Sequence, residues 1–234
     1  MALPKLNTPT YELELPSTGE TLKYRPFLVK EQKLLLMAQE TGEEEDIARA
    51  MGNLVHSCTF GKIDSENAAL FDVEYLFLRI RGKSVGDTVK LSLTCPDDNK
   101  TKVDYNLNLE DISVNMLDDH TNEISLTDDV KIIFRYPILT DMNGITGTSD
   151  VSGIFNLMSK CISEIHYGDD VYTKADMTNK DVDEFIDQLT GEQFEKITKF
   201  FNSMPKLRHV VNVTNPKTKK KSEIVLEGLQ SFLV

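Results

Sequence analysis

Hydrophobic positions along the chain change period several times, and each change marks an element. Residues 10–15, "TYELEL", alternate apolar and polar, meet the turn cluster "PSTGE", and alternate again through "TLKYRPF". This predicts an opening β-hairpin with Tyr11, Leu13 and Leu15 on one face and Pro26 at its end. From Val29 the spacing becomes helical. "VKEQKLLLMAQETG" brings Val29, Leu36 and Met37 together and stops at Gly42. "EEEDIARAMGNLVHSC" opens on an acidic turn, as a helix N-terminus favours, and carries Ile47, Met51, Leu54 and Val55 as a buried stripe. Asp72 is the expected N-cap of a third helix lined by Val73, Leu76, Phe77 and Ile80. Period two then returns. Val89, Leu91 and Leu93 alternate into the turn "CPDDNK", and Val103, Tyr105, Leu107 and Leu109 alternate out of it. "VKIIFRY" (130–136) predicts one more strand, and the Gly- and Asp-rich stretch 140–150 a loop. A helix is expected over 151–165, with Ile154, Leu157, Met158, Cys161 and Ile165 on one face. One or two helices follow over 178–204, broken at "TGE", with Thr178 and Thr190 as N-caps. In "FEKITKFFNSM", Phe194, Ile197, Phe201 and Met204 form a core stripe. "RHVVNVTNPKTKKKSEIVLEGL" closes the chain as a last hairpin.

The order of elements gives an α+β fold, in which β-hairpins combine with helical segments and no βαβ run suggests a doubly wound sheet. The division expected is an N-terminal α+β region (1–139), a loop (140–150) and a helical region with the closing hairpin (151–234), or one compact domain overall.

The two later hairpins echo each other. Thr94-Cys95-Pro96 aligns with Thr214-Asn215-Pro216, and Leu109-Glu110-Asp111-Ile112 aligns with Leu226-Glu227-Gly228-Leu229 when the second arm is taken three residues shorter. Paired turns of this kind are how a zinc ribbon presents its ligands. The four ligand positions are here Cys95, Asp98, Asn215 and Thr218, a poor donor set for structural zinc. Two readings stand: unrelated hairpins with common turn chemistry, or a ribbon-like pair that holds without metal. In the second, Cys95 packs near "VTNPKT". No metal ligand and no cofactor site is assigned.

The formal net charge of -12 disfavours nucleic acid and anionic membrane as partners. Against it, "PKTKKK" is the one basic cluster. Lys217, Lys219, Lys220 and Lys221 are its candidate partner-binding residues, on a hairpin tip that would dock an acidic surface. Three scattered cysteines build no disulfide framework and point to a reducing compartment. The first residues show no apolar leader, and no apolar run reaches bilayer length, so a cytoplasmic protein is expected. Catalytic signatures are missing. His56 with Cys58, or Cys161 with His166, is the nearest approach to a thiol dyad, but both cysteines fall on apolar stripes. "DMNGITGTSD" begins like a calcium loop at Asp141 and Asn143 and fails at Ile145 and Ser152.

"YRPFLVKEQKLLLMAQE" (24–40), "FDVEYLFLRIRGKSVG" (71–86) and "LEGLQSF" (226–232) carry a further likeness. With the succession of helix, strand and "CPDD" turn, the chain resembles the baseplate hub assembly proteins, or baseplate hub subunits, of T-even-like contractile-tailed phages. The resemblance implies cysteines at both hairpin turns in relatives, of which only Cys95 stands here. It also implies a non-enzymatic assembly factor or structural subunit. Its partners would be other hub proteins, in the host cytoplasm during assembly and in the tail baseplate of the virion. The alternatives are a thiol-dependent hydrolase and a metal-stabilised ribbon module.

Overall fold

Alternation along the first strands decides how the chain starts in space. In a computed structural model, which describes residues 6–142 and 151–232, strands β1 (Tyr11–Glu14) and β2 (Thr21–Tyr24) pair antiparallel. The pairing sets Tyr11 opposite Tyr24 and Leu13 opposite Leu22, so the apolar set shares one face. Helices α1 (Val29–Thr41), α2 (Glu44–Cys58) and α3 (Leu70–Val85) follow. Next come β3 (Thr88–Thr94), β4 (Lys102–Asn108) and β5 (Ser113–Asn115). The middle of the chain holds β6 (Glu123–Ser125), β7 (Val130–Phe134), α4 (Val151–Cys161), β8 (Ile162–Tyr167), β9 (Asp170–Thr173), α5 (Asn179–Asp187) and α6 (Gly191–Ser203). Strands β10 (Lys206–Thr214) and β11 (Lys221–Glu227) close the fold. The architecture is α+β, with small antiparallel sheets.

The chain divides into two compact units. One comprises Met1–Asn115 with Lys206–Val234, the other Met116–Pro205. In the first unit α3 is the centre. Phe71, Val73, Leu76, Phe77, Leu78 and Ile80 are all buried, more of the helix surface than one amphipathic stripe covers. Each such side chain contributes about 1.5–3 kcal/mol on burial. Arg79 leaves the same helix to donate to the carbonyls of Leu109 (3.0 Å) and Ile112 (2.8 Å), which fixes the chain between β4 and β5. Strand β5 adds to the closing hairpin, giving the order β11-β10-β5. Where β3 follows α3, a Cβ on Gly82 would meet the Asp87 carboxylate at 2.6 Å, so glycine lets that carboxylate lie against the helix.

In the second unit a four-stranded sheet, β6-β7-β8-β9, packs against helices. Ile132, Phe134, Met158, Cys161, Ile162, Val182, Ile186, Ile197 and Phe200 form its core. Thr178 and Thr190 do cap their helices, each in a reciprocal box with the third helical residue, Asp181 and Gln193 respectively. Phe134 stacks on Phe200 at 4.9 Å, so Phe200 belongs to the core with Ile197, while Phe194 and Phe201 lie at its margin.

Several expectations need correction. Asp72 is not the N-cap of α3. Ala69 is, and Asp72 sits in the first helical turn with its buried carboxylate accepting from the Ser17 N–H at 3.2 Å. The helix expected to reach residue 165 ends at Cys161, because Ile162–Tyr167 pairs with β7 and Ile165 is buried in that sheet. Strands β5 and β6, of three residues each, are too short for their alternation to show, and β9 is exposed along its whole length. The gathering of Val29, Leu36 and Met37 on α1 holds, but all three are exposed. Of the 140–150 loop, Thr140–Met142 lie in a short 3-10 turn, and 143–150 fall outside the described residues, as does most of the calcium-like stretch.

Candidate interaction site: the paired hairpin turns

The two T-x-P turns have the same backbone. In the first, Cys95 N–H donates to the Thr101 carbonyl at 2.8 Å, and Asn99 N–H to the Cys95 carbonyl at 2.9 Å. In the second, Asn215 N–H donates to Lys220 and Lys219 N–H to Asn215, both at 2.9 Å. Each fifth turn residue is left-handed, Asn99 with φ 52° and Lys219 with φ 63°. Asparagine tolerates that region well, whereas lysine adopts it less often.

The turns also touch, as the ribbon-like reading required. Asn215 Nδ2 donates to Asp97 Oδ1 at 2.9 Å, and Thr218 Oγ1 donates to Asp97 Oδ2. One carboxylate thus receives both side chains that stand where the second turn's metal ligands would be. Asn215 is buried, and its Oδ1 accepts from Lys217 N–H at 2.8 Å, which closes its own turn. Asp98 is saturated separately by Thr101 Oγ1 (2.6 Å), Thr101 N–H (2.9 Å) and Lys100 N–H (3.0 Å). The Thr101 hydroxyl, more than anything else, holds the Asp98 carboxyl far below the ordinary carboxylate range. Hydrogen bonds from Asn215 and Thr218 lower Asp97 in the same way.

Cys95 is buried in its turn. Desolvation, then the charges of Asp97 and Asp98, push its thiol up, against the thiolate that zinc requires. With one reluctant thiol and one fully occupied carboxylate, these positions do not fit a structural metal. Among the described residues no group of three or more His, Cys, Asp or Glu is placed to hold one. The hydrogen-bonded rivet through Asp97 does here what a shared ion does in a ribbon: it fixes two hairpin tips side by side.

That rivet presents the basic cluster. Lys217, Lys219, Lys220 and Lys221 are all exposed on the second tip and its first strand residue, and none forms an ion pair among the described residues.

The suggested thiol dyads are not assembled. His56 Nδ1 faces the Ile63 carbonyl at 2.7 Å, and His166 Nε2 faces Glu164 at 2.7 Å. Cys58 and Cys161 are fully buried, and desolvation pushes their thiols up to about 11 and about 12.

Both cysteines belong instead to a device that occurs twice and that periodicity did not reveal. Arg25, just past β2, donates through its backbone N–H to the carbonyl of Cys58, the last residue of α2, at 2.9 Å. Its guanidinium reaches the Pro26 carbonyl (2.9 Å), Cys58 Sγ (3.6 Å) and Glu31 (2.9 Å), and Glu31 also accepts the Leu28 N–H at 2.8 Å. Arg135, just past β7, donates to the carbonyl of Cys161, the last residue of α4, at 2.8 Å. Its guanidinium reaches the Tyr136 carbonyl (3.0 Å) and Asp141 (2.6 Å), and Asp141 accepts the Ile138 N–H at 3.0 Å. The signal was an Arg six residues before an acid at the end of a strand, with a buried Cys at the end of a later helix.

No helix among the described residues is long and apolar enough to cross a membrane. A comparison with protein families matches residues 8–234 to the family described as T4 bacteriophage base plate protein. No curated protein matches, and no solved structure matches.

Proposed function

The chain belongs to the T4 bacteriophage base plate protein family, and from that premise we propose that it is a non-enzymatic assembly factor or subunit of the baseplate hub, working through protein contacts. Membership implies a structural or assembly role in the baseplate, contact with other baseplate proteins and a place in the virion tail. What supports the hub within that family is the resemblance over 24–40, 71–86 and 226–232. The mode of action rests on one observation, the unpaired lysine tip held out by the Asp97 rivet on a chain of net charge -12. An acidic chain repels most acidic surfaces, so a local basic tip selects the orientation in which an acidic hub protein approaches. The chain would meet that partner in the host cytoplasm, pre-order its joining surface, and either remain or leave.

Two measurements test this. Changing Lys219, Lys220 and Lys221 together to Glu is expected to leave folding intact and to lower recovery of the hub partner with the tagged full-length chain from infected cells. Unchanged recovery would remove the lysine tip. Quantitative mass spectrometry of purified virions separates the two forms, since a subunit is present at fixed stoichiometry and a departing factor is absent.

A further inference from the structure

Helix α1 turns an apolar line away from its own unit. Its inward side is marked by Glu31 and Ala38, both buried. On the opposite side Val29 is 79% exposed, and Leu36 and Met37 are 52% exposed each. Val29 and Leu36 lie two turns apart, with Met37 beside Leu36, so the three share one side; Leu34, 58% exposed, flanks it and Lys33 sits within it. Single exposed apolar residues need no explanation, but a line of them along one helix does.

The end of that line is strongly negative. Glu40 lies in the last turn of α1, Glu43 just beyond Gly42, and Glu44, Glu45 and Asp46 in the first turn of α2. Arg49 pairs with Glu45 and Asp46, while Glu40, Glu43 and Glu44 are exposed without an ion pair among the described residues. The first turn of α2 favours acids. The last turn of α1 does not: it carries no base, and the negative end of the helix dipole adds to the potential of Glu40 and Glu43. Among the described residues, no basic side chain pairs with Glu40, Glu43 or Glu44.

We propose that the outer face of α1, with the acidic corner that follows it, docks a basic amphipathic helix of another baseplate protein. Apolar residues of that helix would cover Val29, Leu36 and Met37, and its lysines or arginines would meet Glu40, Glu43 and Glu44 and the carbonyl end of α1. A second copy of this chain fits less well. It also carries net charge -12, and an antiparallel pair of α1 helices sets Lys33 against Lys33 at the two-fold axis.

The inference rests on the reading that the chain acts through contacts with baseplate proteins, but its test uses the purified full-length chain alone. Peptide binding can therefore fail while baseplates still require the chain, and the reverse. The probe is a synthetic amphipathic helix of Leu and Lys, about five turns long, titrated by fluorescence anisotropy, beside a peptide with Glu at every Lys. The Lys peptide is expected to bind, with the Glu peptide at least about tenfold weaker. Val29→Ser with Leu36→Ser and Met37→Ser should weaken the Lys peptide about tenfold at unchanged charge and unchanged Tm. Glu40→Gln with Glu43→Gln and Glu44→Gln should weaken it and flatten its salt dependence. Lack of binding, or equal affinity for the wild type and the serine variant, overturns the proposal. So does a dimer in sedimentation velocity that the serine variant abolishes, which would assign the face to a second copy.

Discussion

Arg25 gathers a carbonyl, a thiol and a carboxylate that is 6% exposed, and its own side chain is 12% exposed. Desolvation works against the Glu31 charge, yet the hydrogen bond from Arg25 and that from Leu28 outweigh it and hold the carboxyl below its ordinary value. Removing the arginine leaves the buried Glu31 charge only the Leu28 N–H and the solvent-exposed ammonium of Lys30 at 3.4 Å. Arg25→Ala should therefore cost about 3 kcal/mol by urea unfolding, and Arg25→Lys should recover only part, because an ammonium cannot serve three acceptors in a plane. Arg135 is 34% exposed, so Arg135→Ala should cost less. A second residue acts in the opposite sense. Glu74 accepts the Leu229 N–H at 3.4 Å, but desolvation dominates and pushes its carboxyl from 4.5 to about 7. The folded chain then holds a proton that the unfolded chain releases, so Glu74 makes stability fall as pH rises from about 4.5 to about 7. Urea midpoints at pH about 5 and about 8 should show this loss in the wild type, and Glu74→Gln should reduce it.

At the scale of elements, the closing hairpin is secured through the Asp97 rivet rather than by its own strands alone. Asp97→Ala should leave both hairpins folded but speed amide exchange through Lys217–Lys220, and Thr218→Val should do so more mildly because Asn215 still donates. Equal exchange in wild type and variant would mean the turns hold without each other. The capping boxes give a simpler expectation: Thr178→Ala and Thr190→Ala should each cost about 1 kcal/mol, read from urea unfolding. Much of this layer was legible. The β3–β4 pair showed because seven residues alternate on each side, and the T-x-P echo located turns that do meet. The β8–β9 hairpin was hidden because Ile165 continues, by helical spacing, the stripe that runs through Cys161. The outer face of α1 was misleading for a physical reason: periodicity reports which residues share a side, never whether anything covers it. Both arginine clasps were invisible because each joins a strand end to a helix end about 26–33 residues away, a bond that no local period encodes.

For the whole molecule, charge and surface carry the functional argument. Among the described residues, an acidic chain exposes a basic tip and an apolar helix face, which suit surfaces of different chemistry. That is what a protein ordering neighbours in a baseplate needs. Family membership was within reach of the sequence, through three short segments scattered between residues 24 and 232. The direction of each contact lies in surfaces, which composition does not resolve. The most direct test is deletion of the coding sequence from the phage, followed by counting complete baseplates by electron microscopy. The account predicts that complete baseplates are lost and return when the wild-type chain is supplied in trans. Complete baseplates at wild-type numbers without the chain would contradict it.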